Sequence, residues 1–204
     1  MKESAAMDFD DLGREHVHTR QIVCQAYRRR DGWWEIEGSV HDQKGEEVTF
    51  RSRPPLPAGA TMHRLSLKLV IDNDYTIHAA QATTTTAPWQ DCGETDDAYR
   101  KLIGLRIGPG FSQQVREHLG GPLGCTHLND LLGQLANTYM QASWPDRMKR
   151  LWALDADPRR WPDLRAIQFV GQCHAWREDG AALRQEYPEL ADNTAMKAAG
   201  PIGE

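Results

Sequence analysis

TMHRLSLKLVID, residues 61–72, sets the periodicity of the first half of the chain. His63, Leu65, Leu67, Leu69 and Ile71 fall on one face at period two, and Arg64, Ser66 and Lys68 fall on the other. A strand with one apolar and one wet face belongs to an antiparallel sheet. Upstream, Trp34, Ile36, Gly38 and Val40 share a face, opposite Trp33, Glu35, Glu37 and Ser39. Asp31-Gly32 predicts a two-residue hairpin turn before that strand, and Ile22, Cys24 and Tyr27 belong to an earlier one. Asp42-Gln43-Lys44-Gly45 reads as a turn leading to a short strand at Val48–Arg51. Residues 52–59, SRPPLPAG, are too proline-rich for a central strand. Downstream, Asp72-Asn73-Asp74 turns into Tyr75–Thr83. The expectation is an antiparallel meander of about five strands.

After Thr83–Pro88 (TTTTAP) the pattern changes to helices. A short one is expected from Asp96 or Asp97 to Ile103, and another carries Phe111, Val115 and Leu119 and stops at Gly120. Leu128, Leu131, Leu132, Leu135, Ala136 and Tyr139 form one face of a longer helix, N-capped by Thr126, with Asp130 in its first turn and its end at Trp144-Pro145. Met148, Leu151, Trp152 and Leu154 suggest a further helical piece before Pro158, and Leu164–Trp176 fits helix or strand equally. The predicted class is therefore α+β, with the second-half helices packed on one face of the sheet. The expected layout is a loose arm at 1–13, one domain over 14–180 (sheet 14–86, helical part 94–180) and a loosely ordered tail at 181–204.

Composition narrows the function classes. With 204 residues the chain can bury a real core. A net charge of −5, from 24 basic and 29 acidic residues, gives no basic surplus for nucleic acid. No apolar run reaches the ~20 residues that span a bilayer. The acidic start MKESAAMDFDDL does not resemble a signal peptide, so a cytoplasmic location with reduced cysteines is expected. Nucleotide-binding glycine motifs, a G-x-S-x-G elbow and an H-E-x-x-H zinc helix are all missing, and no nucleotide cofactor is expected.

The chemistry-bearing residues gather around GGPLGCTHLNDLL, residues 120–132. Cys125 and His127 lie at the mouth of the long helix, where unpaired N–H groups favour a thiolate. Cys92, Cys125, His127 and Cys173 offer a zinc or iron ligand set, assembled from distant segments because no C-x-x-C occurs. His63, inward-facing at the start of its strand, is a second candidate ligand or general base, considered together with Asp72 and His127. His16, His18, His41, His78 and His118 read as surface residues, and Cys24 as core. The seven tryptophans suit packing between sheet and helices, or an aromatic pocket for a flat ligand.

Several of these segments together resemble a bacterial family of unknown function, number 2889 in the domain-of-unknown-function series. They are Tyr27–Gly32, the Trp34–Gly38 strand, Asp42, His63, Ala87-Pro88 with Cys92, Leu102-Ile103-Gly104 and Gly124-Cys125-Thr126-His127-Leu128. The resemblance spans roughly residues 20–180 and implies a bacterial soluble protein in which His63, Cys92, Cys125 and His127 share a site; it implies no activity. A shorter likeness is to NifU-type iron–sulfur scaffolds, through Ala87–Gly93, Gly124-Cys125 and Cys173-His174, with altered spacing and a reversed Cys-His order. Three functions are thus expected as alternatives. One is a zinc or iron site of Cys92, Cys125 and His127, completed by Cys173 or His63, serving a small-molecule hydrolase or lyase. The second is a metal-free enzyme with Cys125 as nucleophile and His63 or His127 as base. The third is a non-catalytic metal or iron–sulfur binding or scaffold protein, the metal or cluster being cargo or a structural staple.

Overall fold

The computed structural model describes residues 13–161 and 170–191. Its centre is a four-stranded antiparallel sheet in the order β1-β2-β3-β4: β1 His18–Arg28, β2 Trp34–Lys44, β3 Thr61–Ile71 and β4 Ile77–Thr86. The α+β class and the meander order are as predicted, with four strands where about five were expected. Val48 makes only an isolated bridge to Leu56. Pro54, Pro55 and Pro57 have no N–H to extend that ladder. The first hairpin is wider than a two-residue turn. Arg29 N–H bonds to the Trp33 carbonyl at 2.8 Å, and Gly32 takes a left-handed φ of 84° inside the loop.

Strand β2 runs on past Asp42. The segment expected to turn at Asp42 continues as strand to Lys44, with a bulge against β3 at Asp42/Gln43. Asp42 therefore keeps the parity of Trp34, Ile36, Gly38 and Val40 and faces inward.

Beyond the sheet come a 3₁₀ segment Gln90–Leu102, α1 Phe111–Leu119 and α2 Thr126–Leu154. The long helix lies across the inner face. Leu128, Leu131, Leu132, Leu135 and Tyr139 join Trp34, Ile36, Val40, Leu65, Leu67, Leu69 and Ile71 in one core. Gly38 lets helix and sheet approach closely: a Cβ there would lie 2.8 Å from Leu135 Cδ2 and 3.0 Å from Leu131 Cδ1. The helix was expected to end at Pro145, yet it runs through it to Leu154. Proline removes one backbone hydrogen bond. The far side of the helix is held by burial of Met148 and Leu151 in a second cluster with Trp161, Leu183, Tyr187 and Leu190. Those last three residues belong to α3 Ala181–Glu186 and the short α4 Pro188–Ala191 or the link between them. Part of the expected loose tail is thus helical, because its apolar side chains find this second core.

Residues 164–169 of the Leu164–Trp176 run lie outside the described residues; Gly171–Trp176 forms turns and bends. The expected arm at 1–13 is described only at Gly13.

Candidate metal centre

A row of side chains crosses the sheet beneath the start of α2. Arg20 on β1 is opposite Asp42 on β2, and Asp42 is opposite His63 on β3. All three face the helix, and the bulge at Asp42/Gln43 lies within this row. From above, the first turn of α2 brings in His127. The His63 and His127 rings are 4.0 Å apart between centroids.

Asp42 is the hub, and its side chain is only 1% exposed. Arg20 grips it with two parallel bonds, Nε to Oδ1 at 2.8 Å and Nη2 to Oδ2 at 2.9 Å. His63 Nδ1 lies 3.0 Å from Oδ2, His127 Nε2 3.8 Å from Oδ2 and His18 Nε2 3.7 Å from Oδ1. Burial opposes ionisation of Asp42, but the hydrogen bonds and charge of Arg20 and His63 outweigh it and hold the carboxyl below its usual range. Burial also dominates for both imidazoles. It lowers His63 against the pull of Asp42, and it lowers His127 with help from His63 and Arg20. The result is one carboxylate beside two neutral rings with lone pairs, which is a ligand set for a divalent transition metal. One ligand atom from each of Asp42, His63 and His127 lies within 4.8 Å of the other two, the one such group of three or more His, Cys, Asp or Glu among the described residues.

The helix mouth is fixed by Tyr99, which is fully buried. Its hydroxyl accepts the Cys125 N–H at 3.1 Å and lies 2.9 Å from the Cys125 carbonyl and 2.8 Å from Asn129 Oδ1. Asn129 in turn donates to the Leu119 carbonyl at 2.7 Å. Gly124 completes the junction: a Cβ there would fall 2.6 Å from the Leu119 carbonyl oxygen. Cys125, rather than the expected Thr126, occupies the N-cap position, and Asp130 lies beyond the first turn.

The expected site residues divide unequally. His63 and His127 come together. Cys125 is adjacent, its Sγ 3.7 Å from His127 Nδ1. Of the expected metal set Cys92, Cys125, His127 and Cys173, only His127 belongs to the three-residue group. Cys92 is half-buried in the 3₁₀ segment, its carbonyl accepting from the Thr95 hydroxyl, and Cys173 is exposed in a turn. Asp72, considered as a partner of His63, lies past the opposite end of β3, about 30 Å away at ~3.3 Å per residue. There Oδ1 accepts from the N–H groups of Asp74 and Thr76, and Oδ2 pairs with His78 at 2.6 Å. Asp42, Arg20 and His18 were missed as site residues. The signal for Asp42 was one more step of the alternation Trp34, Ile36, Gly38, Val40.

Fold and site together define an α+β protein with a carboxylate–imidazole cluster clamped between a sheet and the tip of its longest helix. The chain belongs to the family described as a protein of unknown function, DUF2889, which matches residues 18–141, from the first residue of β1 to the middle of α2. No curated protein and no solved structure matches it. Among the described residues, no helix is long and apolar enough to cross a membrane.

Proposed function

We propose that Asp42, His63 and His127 hold one zinc or iron ion, and that the ion serves hydrolysis or elimination on a small molecule. The observation that carries this reading is the convergence of their ligand atoms within 4.8 Å. Two imidazoles and one carboxylate leave coordination positions open for water and substrate, the arrangement that catalytic zinc and non-haem iron sites use. A metal there would polarise a carbonyl or lower the pKa of a bound water. Arg20 would hold Asp42 in place from behind, as partners of metal ligands do. His63 and His127, neutral at physiological pH, bind metal without first losing a proton.

Metal analysis of freshly purified protein tests this. The expected result is about one zinc or iron per chain, lost in His63→Ala and in His127→Ala and retained in Cys92→Ser and Cys173→Ser. Retention in both histidine variants, or a metal-free wild type that also fails to take up added zinc, would refute it. A metal bound without turnover of any substrate would make the ion a structural staple or cargo.

A second reading rests on the 3.7 Å approach of Cys125 Sγ to His127 Nδ1. A thiol at a helix N-terminus beside an imidazole is the usual setting of a cysteine nucleophile. It predicts fast stoichiometric alkylation of Cys125 in metal-free protein, slowed in His127→Ala.

A further inference from the structure

We infer that the opposite face of the sheet carries a separate binding site for a small oxyanion, the carboxylate or phosphate group of a metabolite. A cavity of about 400 Å³ opens on the face that α2 leaves uncovered, enough for a small organic anion. Two adjacent cross-strand rows build it: Gln21–His41–Arg64, and beside it Val23–Ser39–Ser66. Thr85 completes the lining, and it gets there through a bulge. Arg64 pairs with Thr86 and Leu65 with Thr84, so Thr85 is the extra residue on β4.

The chemistry of this lining is one-sided. Arg64, three hydroxyls, an amide and an imidazole converge, and no carboxylate lines the cavity. Lys68, two steps along the same face of β3, differs from Arg64 in its partner. Lys68 is neutralised by Glu37 across the strand pair, whereas Arg64 has no acidic partner among the described residues. A guanidinium stays charged at any physiological pH and presents a planar fork suited to two oxygens of one anion. Hydroxyls at Ser39, Ser66 and Thr85 can supply the remaining donors, and the exposed Val23 gives an apolar wall for the rest of the molecule. The site is distinct from the Asp42 cluster, although His41 and Arg64 immediately flank Asp42 and His63 and point the other way.

The test is a titration of the isotope-labelled full chain with inorganic phosphate and, separately, with succinate, at constant ionic strength, followed by backbone amide shifts. The expected result is saturable shifts confined to the amides around 21, 39–41, 64–66 and 85 with at least one of the two anions, weakened about tenfold in Arg64→Gln as charge-assisted hydrogen bonds are lost. Lys68→Gln, altering the neighbouring cation on the same face, should bind as wild type does. The anion that saturates identifies the oxyanion class. Linear, non-saturating shifts with both anions, or equal affinity in Arg64→Gln, would overturn the inference. Arg64 is exposed, so its replacement leaves the core intact, and the amide spectrum of the free variant verifies that.

Discussion

Asp42 gathers the electrostatics of the centre into one side chain, and the two imidazoles beside it give the chain a pH signature. In metal-free protein His63 and His127 titrate below the ordinary 6.5, chiefly because they are buried. Between those lowered values and 6.5 the unfolded chain binds more protons than the folded one. The stability from these rings is therefore complete above pH 6.5 and drains as pH falls through that window. Asp42, held below 3.8, titrates outside it. Thermal unfolding in chelator, from about pH 7.5 to about pH 5, should show a steeper fall in Tm for wild type than for the His63→Gln/His127→Gln double variant. Parallel slopes would refute the assignment. Asp42→Asn should weaken zinc binding by at least about tenfold, since it removes one ligand and releases Arg20; isothermal titration measures it.

Where elements meet, two contacts decide whether the site keeps its shape. Gly38 lies directly under Leu131 and Leu135 of α2, so Gly38→Val should cost about 1–3 kcal/mol through overpacking, read by urea denaturation. A cost near zero would mean that the leucine tips swing aside freely. Tyr99→Phe removes the hydroxyl that satisfies the Cys125 N–H and should cost about 1–3 kcal/mol. Because that hydroxyl fixes the first turn of α2, the variant should also loosen His127. Faster amide exchange at residues 125–129, with β3 unchanged, is the expected readout.

Across the whole molecule, α2 links two hydrophobic clusters. Its first half packs on the sheet, and its last turns pack with Trp161, Leu183, Tyr187 and Leu190. Leu183 is fully buried, and Leu183→Ala should cost about 2–5 kcal/mol within the second cluster. Hydrogen exchange should rise in α3 and the end of α2 but not in β2 and β3; a uniform rise would mean that the two clusters unfold as one unit.

How much of this was legible beforehand depended on the range of the interaction. The period-two run from His63 to Ile71, the helical face from Leu128 to Tyr139 and the stop at Gly120 are local patterns, and each element formed where its pattern lay. His63 and His127 could be nominated because one interrupts a leucine row and the other stands at a helix mouth. Where a strand or helix ends against its local signals was not legible. Asp42 resembles a turn former until pairing with Arg20 and His63 carries β2 past it, and Pro145 resembles a helix stop until a second core outweighs one lost hydrogen bond. Sequence alone thus determined the class, the strand order and two imidazoles, because backbone periodicity and side-chain polarity act over a few residues. Only the tertiary structure decided that a carboxylate, and not thiolates, completes the group. That choice is made by strand register and helix placement, which bring together residues 20, 42, 63 and 127 across long stretches of chain.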